Sequence, residues 1–208
     1  ETYGFTRQNW WEPVGREVRM LRENAGILDI SNFAKYRVKG PGAESWLNAL
    51  FANRMPREVG RSCLTPLIGK RGGVAGDFTV TRLEDDAFWI VGSGMAERFH
   101  LRFFRAIPLP DGTTFESLTE TVAGFNVAGP KARDVLGRLT NADLSNDGFP
   151  FMRSRRITVA GVDCVAIRVS FTGDLGWELH CAENDQIALY TALLAAGADV
   201  GAGPVGGR

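Results

Sequence analysis

The sequence predicts an α+β fold built from two pseudo-symmetric strand-and-helix halves, and three observations carry that expectation. Val38-Lys39-Gly40-Pro41-Gly42-Ala43 with Leu47 aligns with Val127-Ala128-Gly129-Pro130-Lys131-Ala132 with Leu136. Further on, Gly73-Val74 aligns with Gly161-Val162, and Trp89 with Trp177, at nearly the same offset. One Gly-Pro match is within chance, whereas three landmarks in register point to a duplicated supersecondary unit. The halves fall near residues 1–112 and 113–208. Two such halves pack most simply into one body, with a ligand in the groove between them.

Each element has its own signal. Residues 13–24 read as a helix, with Pro13 in the first turn, where its missing N–H costs nothing, and Gly26 just past the end. Strands are expected at 27–30 and 35–39. A helix then opens at Gly40-Pro41 and carries Ala43, Trp46, Leu47 and Leu50 on one face. Strands at 74–82 and 87–91 precede an amphipathic helix at 95–105, and a polar turn at 108–112 closes the first half. The second half repeats strand, Gly129-Pro130 and helix, and its Trp177 strand is followed by a helical stretch at 185–196.

Composition narrows the function classes. The 208 residues are 44% hydrophobic and 23% charged, which describes a globular domain rather than a disordered one. With 24 basic and 24 acidic residues there is no global field to draw in nucleic acid or an anionic membrane, and neither is expected as a partner. No apolar run reaches the roughly 18 to 20 residues that span a bilayer. Cys63, Cys164 and Cys181 form no CxxC pair, and His100 and His180 stand far apart, so neither a disulfide framework nor a metal site is expected. Reduced thiols indicate an intracellular protein. The polar, aromatic start Glu1-Thr2-Tyr3-Gly4-Phe5, without methionine, reads as the middle of a longer chain.

Two familiar patterns fail on context. Residues 201–206, Gly-Ala-Gly-Pro-Val-Gly, satisfy GxGxxG, but a dinucleotide site needs a strand before the glycines and a helix after them. Here an Ala-rich helical stretch precedes them. Gly69-Lys70 resembles the end of a phosphate loop, but Arg71 stands in the Ser/Thr place.

Two stretches survive. In the first, a Gly-rich turn containing Gly72, Gly73 and Gly76 leads into an apolar strand with Asp77 at the junction. Glycines permit positive φ and close backbone approach, so a flat ligand fits against such a turn. A carboxylate flanked by apolar strand residues is expected to be partly desolvated and so a better base. The competing reading is an aspartate that hydrogen-bonds its own backbone. In the second stretch, residues 168–180, alternation sets Glu178 on the face opposite Trp177 and Leu179. Glu178 is then either a solvent-face residue or a groove-lining carboxylate able to accept two N–H bonds from a ring edge. Pteridines and guanines both present such an edge, and the pattern does not choose between them.

Together with Trp10-Trp11-Glu12-Pro13-Val14-Gly15-Arg16-Glu17 and Gly26-Ile27-Leu28-Asp29-Ile30-Ser31, these stretches resemble the glycine-cleavage T-protein family of aminomethyltransferases, essentially end to end. Phe171-Thr172-Gly173-Asp174 followed by Gly176-Trp177-Glu178 is similar to that family's Tyr-Thr-Gly-Glu and Gly-Phe-Glu segments. The opening stretch and Gly176-Trp177-Glu178-Leu179-His180 sit nearer the dimethylglycine and sarcosine dehydrogenase branch. The resemblance implies two related α+β units with antiparallel sheets around a folate channel, with the family's C-terminal β-rich domain absent from this chain. It implies tetrahydrofolate as cofactor, Asp77 as the catalytic acid/base, and Glu178, Arg208, Phe171 and Gly73 as cofactor-binding residues. Arg208 stands where the family has an arginine after a Gly-Leu-Gly-Ala segment. Phe171 replaces a frequent tyrosine, and Gly76 replaces the first acid of a frequent Asp-Asp pair.

By the same resemblance, FAD belongs to a separate upstream flavin module of a longer flavoenzyme. That module oxidises a methylamine, and this domain captures the one-carbon unit as 5,10-methylenetetrahydrofolate. The compartment implied is the cytoplasm, or the mitochondrial matrix in a eukaryote. The rival readings are a stand-alone folate-dependent aminomethyltransferase or demethylase, and a non-catalytic folate-binding accessory protein. The latter type carries a Lys-Gly-Cys-Tyr-x-Gly-Gln-Glu segment that this chain lacks.

Overall fold

The computed structural model describes residues 3–206. It contains two compact units, each with its own sheet. One comprises Ser31–Ala123 with Met152–Arg155 and carries Asp77; the other comprises the remaining described residues and carries Glu178. The division differs from a cut near residue 112 for a simple reason. Strand β1 (Gly26–Asp29) pairs with β7 (Val122–Ala128) and β11 (Gly203–Val205), which takes the start of the chain into the second repeat's sheet.

The Asp77 unit has a five-stranded sheet in the order β3-β4-β5-β2-β6, from β2 (Ala34–Lys39), β3 (Ser62–Ile68), β4 (Val74–Glu84), β5 (Ala87–Gly92) and β6 (Thr114–Ser117). The Glu178 unit has six strands in the order β11-β1-β7-β10-β9-β8, adding β8 (Ser154–Val159), β9 (Val162–Ile167) and β10 (Gly176–Ala182). Strands β3, β4, β5 and β2 follow the same spatial order as β8, β9, β10 and β7, so the duplication inferred from sequence is written in the sheets. In each unit a strand runs through Gly-Pro into a helix: β2 into α2 (Ala43–Leu50), and β7 into α4 (Ala132–Gly137). Gly40 and Gly129 hold φ of +135° and +124°, and their carbonyls accept from Ala43 and Ala132, each at 3.0 Å. A Cβ at either glycine would lie within 2.4 Å of a backbone oxygen, so only glycine fits the turn.

Each unit also ends its β5 or β10 strand in a 3-10 turn and a long helix, α3 (Glu97–Ala106) or α5 (Gln186–Gly197). Phe104 of α3 is the hub of the Asp77 unit's core, with ring centroids of Tyr36, Trp46, Phe51, Phe78 and Phe115 at 5.1 to 6.2 Å. Ala43, Trp46, Leu47 and Leu50 of α2 close over the same core, as their spacing predicts. In the Glu178 unit, α5 lays Tyr190 on Phe125 with ring centroids 5.3 Å apart and buries Leu189 and Leu193. Helix α1 (Trp11–Glu23) precedes β1 and buries Leu21.

One landmark of the repeat needs correction. Phe88 and Ile90 belong to the core cluster with α2 and α3, so Trp89 between them projects from the opposite face of β5. Trp177 faces Phe149 and the guanidinium of Arg133 on α4, which puts it on the helix side of β10. The two tryptophans therefore do not correspond. Because strand side chains alternate, the shift of one residue exchanges faces. The spacing that carries Val38 onto Val127 carries Trp89 onto Glu178 and Val91 onto His180.

Candidate functional site

Glu178 is the buried carboxylate of its unit. It lies mid-strand in β10, opposite Ile167 of β9, and only 6% of the residue is exposed. That excludes the solvent-face reading. Gly176 and His180 share its face, while Trp177 and Leu179 enter the helix-covered core. Its Oε2 lies 3.4 Å from Nε2 of His180, yet no hydrogen bond reaches that oxygen. An ionisable side chain held away from water with an unfilled acceptor is costly unless a donor completes it. Neighbouring Asn126 on β7 is also buried, and its amide donates to the carbonyl of Trp177 at 3.3 Å and of Val169 at 3.4 Å. These bonds tie β10 to β7 and to the segment that follows β9.

The loop leading into β10 is braced separately. Arg133 and Arg168 lie over Trp177 at 5.8 and 5.6 Å, and both donate to Oδ1 of Asn146, at 2.8 and 2.7 Å. Arg168 also donates to the Phe149 carbonyl at 2.6 Å. Burial and the neighbouring Arg133 charge lower the proton affinity of Arg168. These contacts tie the segment after β9 and the Trp177 ring to α4 and residues 146–149, and none of them involves the Glu178 carboxylate.

The Asp77 hairpin is a different environment. Gly69 and Gly73 close the β3–β4 turn through a Gly69 N–H to Gly73 carbonyl bond of 2.8 Å, and Gly72 holds φ +81°. A side chain at Gly73 would meet open space, so that position leaves a face of the hairpin bare. Asp77 is exposed, and its Oδ1 accepts from the backbone N–H of Phe78 at 3.1 Å. The expected desolvation by flanking apolar residues is therefore not present. Alternation sends Gly76 and Phe78 to the core face and leaves Asp77 on the open one.

Gly76 has a physical explanation that sequence alone withheld. A Cβ there would lie 2.6 Å from the Phe78 ring and 2.8 Å from His100 Nε2. Imidazole and phenyl rings, in edge contact at 4.6 Å, fill the volume a second acid would need. His100 is buried, and burial lowers its pKa below the usual value, with Glu97 opposing weakly.

Phe171 is 69% exposed and lines a cavity of about 160 Å³ against Val14, Val18 and Leu21 of α1, with Leu28 and Val205. Glu178 does not line that cavity. Arg208 lies outside the described residues. The GxGxxG glycines end a helix and begin a strand: Gly201 takes φ +71°, and residues 203–205 form β11, parallel to β1. That is the reverse of a strand-to-helix phosphate turn. The cysteines are free, and burial pushes the Cys164 thiol up to about 12 and the Cys181 thiol to about 11, so neither is a ready nucleophile. Among the described residues no helix is long and apolar enough to cross a membrane. Sequence reasoning missed His180, although its signal was present, because a residue two places from Glu178 on a strand shares its face.

A duplicated α+β domain with Gly-Pro strand-to-helix turns in both repeats and one buried strand carboxylate defines an aminomethyltransferase-like domain. The chain matches the GCVT N-terminal domain over residues 1–208 and belongs to that family. It is 35% identical over 204 residues to mouse (Mus musculus) mitochondrial dimethylglycine dehydrogenase, covering 97% of this chain and 23% of that protein. Against the aminomethyltransferase of Desulforamulus reducens the identity is 29%, covering 94% of this chain and 53% of the other. The fold also matches the crystal structure of the glycine cleavage system aminomethyltransferase T from Bartonella henselae, with a TM-score of 0.80 at 24% identity over 92% of this chain and 50% of that one. The chain thus spans about a quarter of the dehydrogenase it resembles and about half of the aminomethyltransferases.

Proposed function

We propose that this chain is the tetrahydrofolate-binding module of a dimethylglycine or sarcosine dehydrogenase-like enzyme and captures a one-carbon unit as 5,10-methylenetetrahydrofolate. The observation that carries the reading is the unfilled buried oxygen of Glu178, in a family whose named members include aminomethyltransferases and dimethylglycine dehydrogenases. The fit is chemical: a carboxylate accepts two parallel N–H bonds, and the amino-pyrimidine edge of a pterin offers them. Tetrahydrofolate, when bound, supplies the nitrogens that take up carbon at the formaldehyde oxidation level.

The chain's own residues bind, orient and move protons. Glu178 holds the ring edge, with Arg208, Phe171 and Gly73 as further binding residues, so that the reacting nitrogens are presented in one orientation. Asp77, exposed and held by a single backbone N–H, is free to exchange a proton with those nitrogens as acid and base. Oxidation of the methylamine, with its two electrons passing to FAD, is assigned to a flavin module upstream of this chain. The mitochondrial dehydrogenase relatives favour a matrix setting, or the cytoplasm in a bacterium.

Calorimetric titration of the intact protein with tetrahydrofolate and, separately, with NAD tests the assignment. Binding of reduced folate without NAD binding is expected. NAD binding with no response to folate would overturn it.

A further inference from the structure

We propose that His180 is the positioning residue of the Glu178 carboxylate, aligning it along β10 before the ligand arrives. The inference rests on Glu178 as the folate anchor and adds to it a second residue of the same strand face. Both side chains are buried, at 0% and 8% exposure, and they stand two residues apart on one face of the strand. Nε2 of His180 is 3.4 Å from Oε2 of Glu178, a few tenths of an ångström beyond an ordinary N–H···O bond.

A second observation shows that the ring's place is built. Gly124 of β7 lies beneath it, and a Cβ at Gly124 would sit 3.0 Å from His180 Nδ1, 3.4 Å from its Cε1 and 3.1 Å from Ile30 Cγ1. A Cβ there would push the imidazole or Ile30 aside by a few tenths of an ångström. Nδ1 is the ring nitrogen nearest the space a Gly124 Cβ would take, and Nε2 is the nitrogen near the carboxylate. The same spacing that carries Val91 onto His180 carries Lys35 onto Gly124, so the other unit has no such space.

The chemistry follows from counting acceptor positions. A carboxylate has about four lone-pair positions, and a ligand edge with two parallel N–H groups takes one on each oxygen. A hydrogen from Nε2 takes one of those left on Oε2 and fixes the carboxylate plane. A ligand that finds its acceptor already oriented loses less free energy to ordering it. His180 therefore acts through Glu178 and makes no demand on the reacting carbon.

The test uses the intact protein and tetrahydrofolate as the titrant, with thermal unfolding run on every variant. His180→Phe fills the ring's space without an N–H and should weaken folate binding by about tenfold, the loss of one hydrogen bond to a charged group. His180→Gln restores a donor at similar reach and should recover much of that loss. Gly124→Ala, which presses on the ring without removing it, should also weaken binding. Equal affinity in wild type and His180→Phe, alongside a Glu178→Ala variant that has lost affinity, would overturn the positioning role and leave the anchor standing. Wild-type affinity in Glu178→Ala would overturn the anchor itself. Failure of Gln to outperform Phe would reduce His180 to packing. Should His180→Phe not fold, the imidazole ¹⁵N resonances of His180 decide. They should shift between wild type and Glu178→Gln, and unchanged resonances would contradict the proposal.

Discussion

The two units are built to one plan and spend it differently. Each has a β5- or β10-type strand in the centre of its sheet, with one face packed under helices. On that face the residues are interchangeable in kind: Phe88 and Ile90 in the Asp77 unit, Trp177 and Leu179 in the Glu178 unit. On the other face they are not. Trp89 and Val91 in one unit correspond to Glu178 and His180 in the other, and all four are buried. One unit thus places apolar side chains at these two positions, beside the buried Lys35 and Thr81, and each large apolar side chain stabilises it by roughly 1.5–3 kcal/mol. Its partner places a carboxylate and an imidazole there, and the carboxylate's Oε2 is held away from water without a hydrogen bond, which costs stability until a ligand donor completes it. The two units share a scaffold, and they depart from symmetry at the positions where the ligand contact is proposed.

The largest expected effect probes the shared scaffold. Phe104→Ala should cost about 3–5 kcal/mol in urea unfolding, because five aromatic rings lose their common neighbour. A loss below 1 kcal/mol would mean that the ring cluster is not what holds the Asp77 unit together. Next in size is Asp77→Asn, which keeps the shape and the Phe78 contact but removes the base. Carbon transfer should slow about 10²-fold or more while folate affinity stays near wild type. Transfer at the wild-type rate would remove Asp77 from the mechanism.

Gly40→Ala and Gly129→Ala test the repeat itself. Each should destabilise by at least ~1–2 kcal/mol, since both positive φ values and both backbone contacts exclude a Cβ. Clearly unequal losses would show that the two turns are alike only in sequence. The smallest effect is a pH slope from His100. Its folded pKa lies below the usual 6.5 because burial disfavours the imidazolium. The unfolded chain therefore takes up the proton first. Its contribution is fully present above about pH 6.5 and is lost as the pH falls from there toward the folded value. His100→Phe should flatten that part of the stability profile, and an unchanged slope would assign it elsewhere.

The sequence made the inner strands and the long helices legible, because their apolar periodicity reflects burial. Of the strands it did not reveal, β3, β6, β8 and β11 are the four sheet edges, while inner β9 was marked only by the Gly161-Val162 landmark. Edge strands are half-solvated, so Pro66 in β3 and the arginines in Ser154-Arg155-Arg156 carry no strand signal. The register slip between Trp89 and Trp177 was hidden for a related reason: a one-residue shift leaves composition intact but exchanges faces. At the site, Glu178 was legible as a residue with two possible environments, and burial decided between them. The exposure of Asp77 and the His100 ring behind Gly76 depend on contacts distant in sequence, which no local pattern encodes.

The central claim is that Glu178 costs stability in exchange for a ligand contact, as its counterpart Trp89 does not. Glu178→Leu tests it most directly, by equilibrium unfolding and tetrahydrofolate titration of the same intact protein. Leucine restores the apolar character of the other unit's face. Stability should hold or rise, because a buried polar group with an unfilled acceptor has been removed. Folate affinity should fall about 10- to 100-fold, the loss expected when charge-assisted hydrogen bonds to the ligand are gone. A protein that loses stability while binding tetrahydrofolate as tightly as before would show that Glu178 and His180 are a structural ion pair, and would contradict the account.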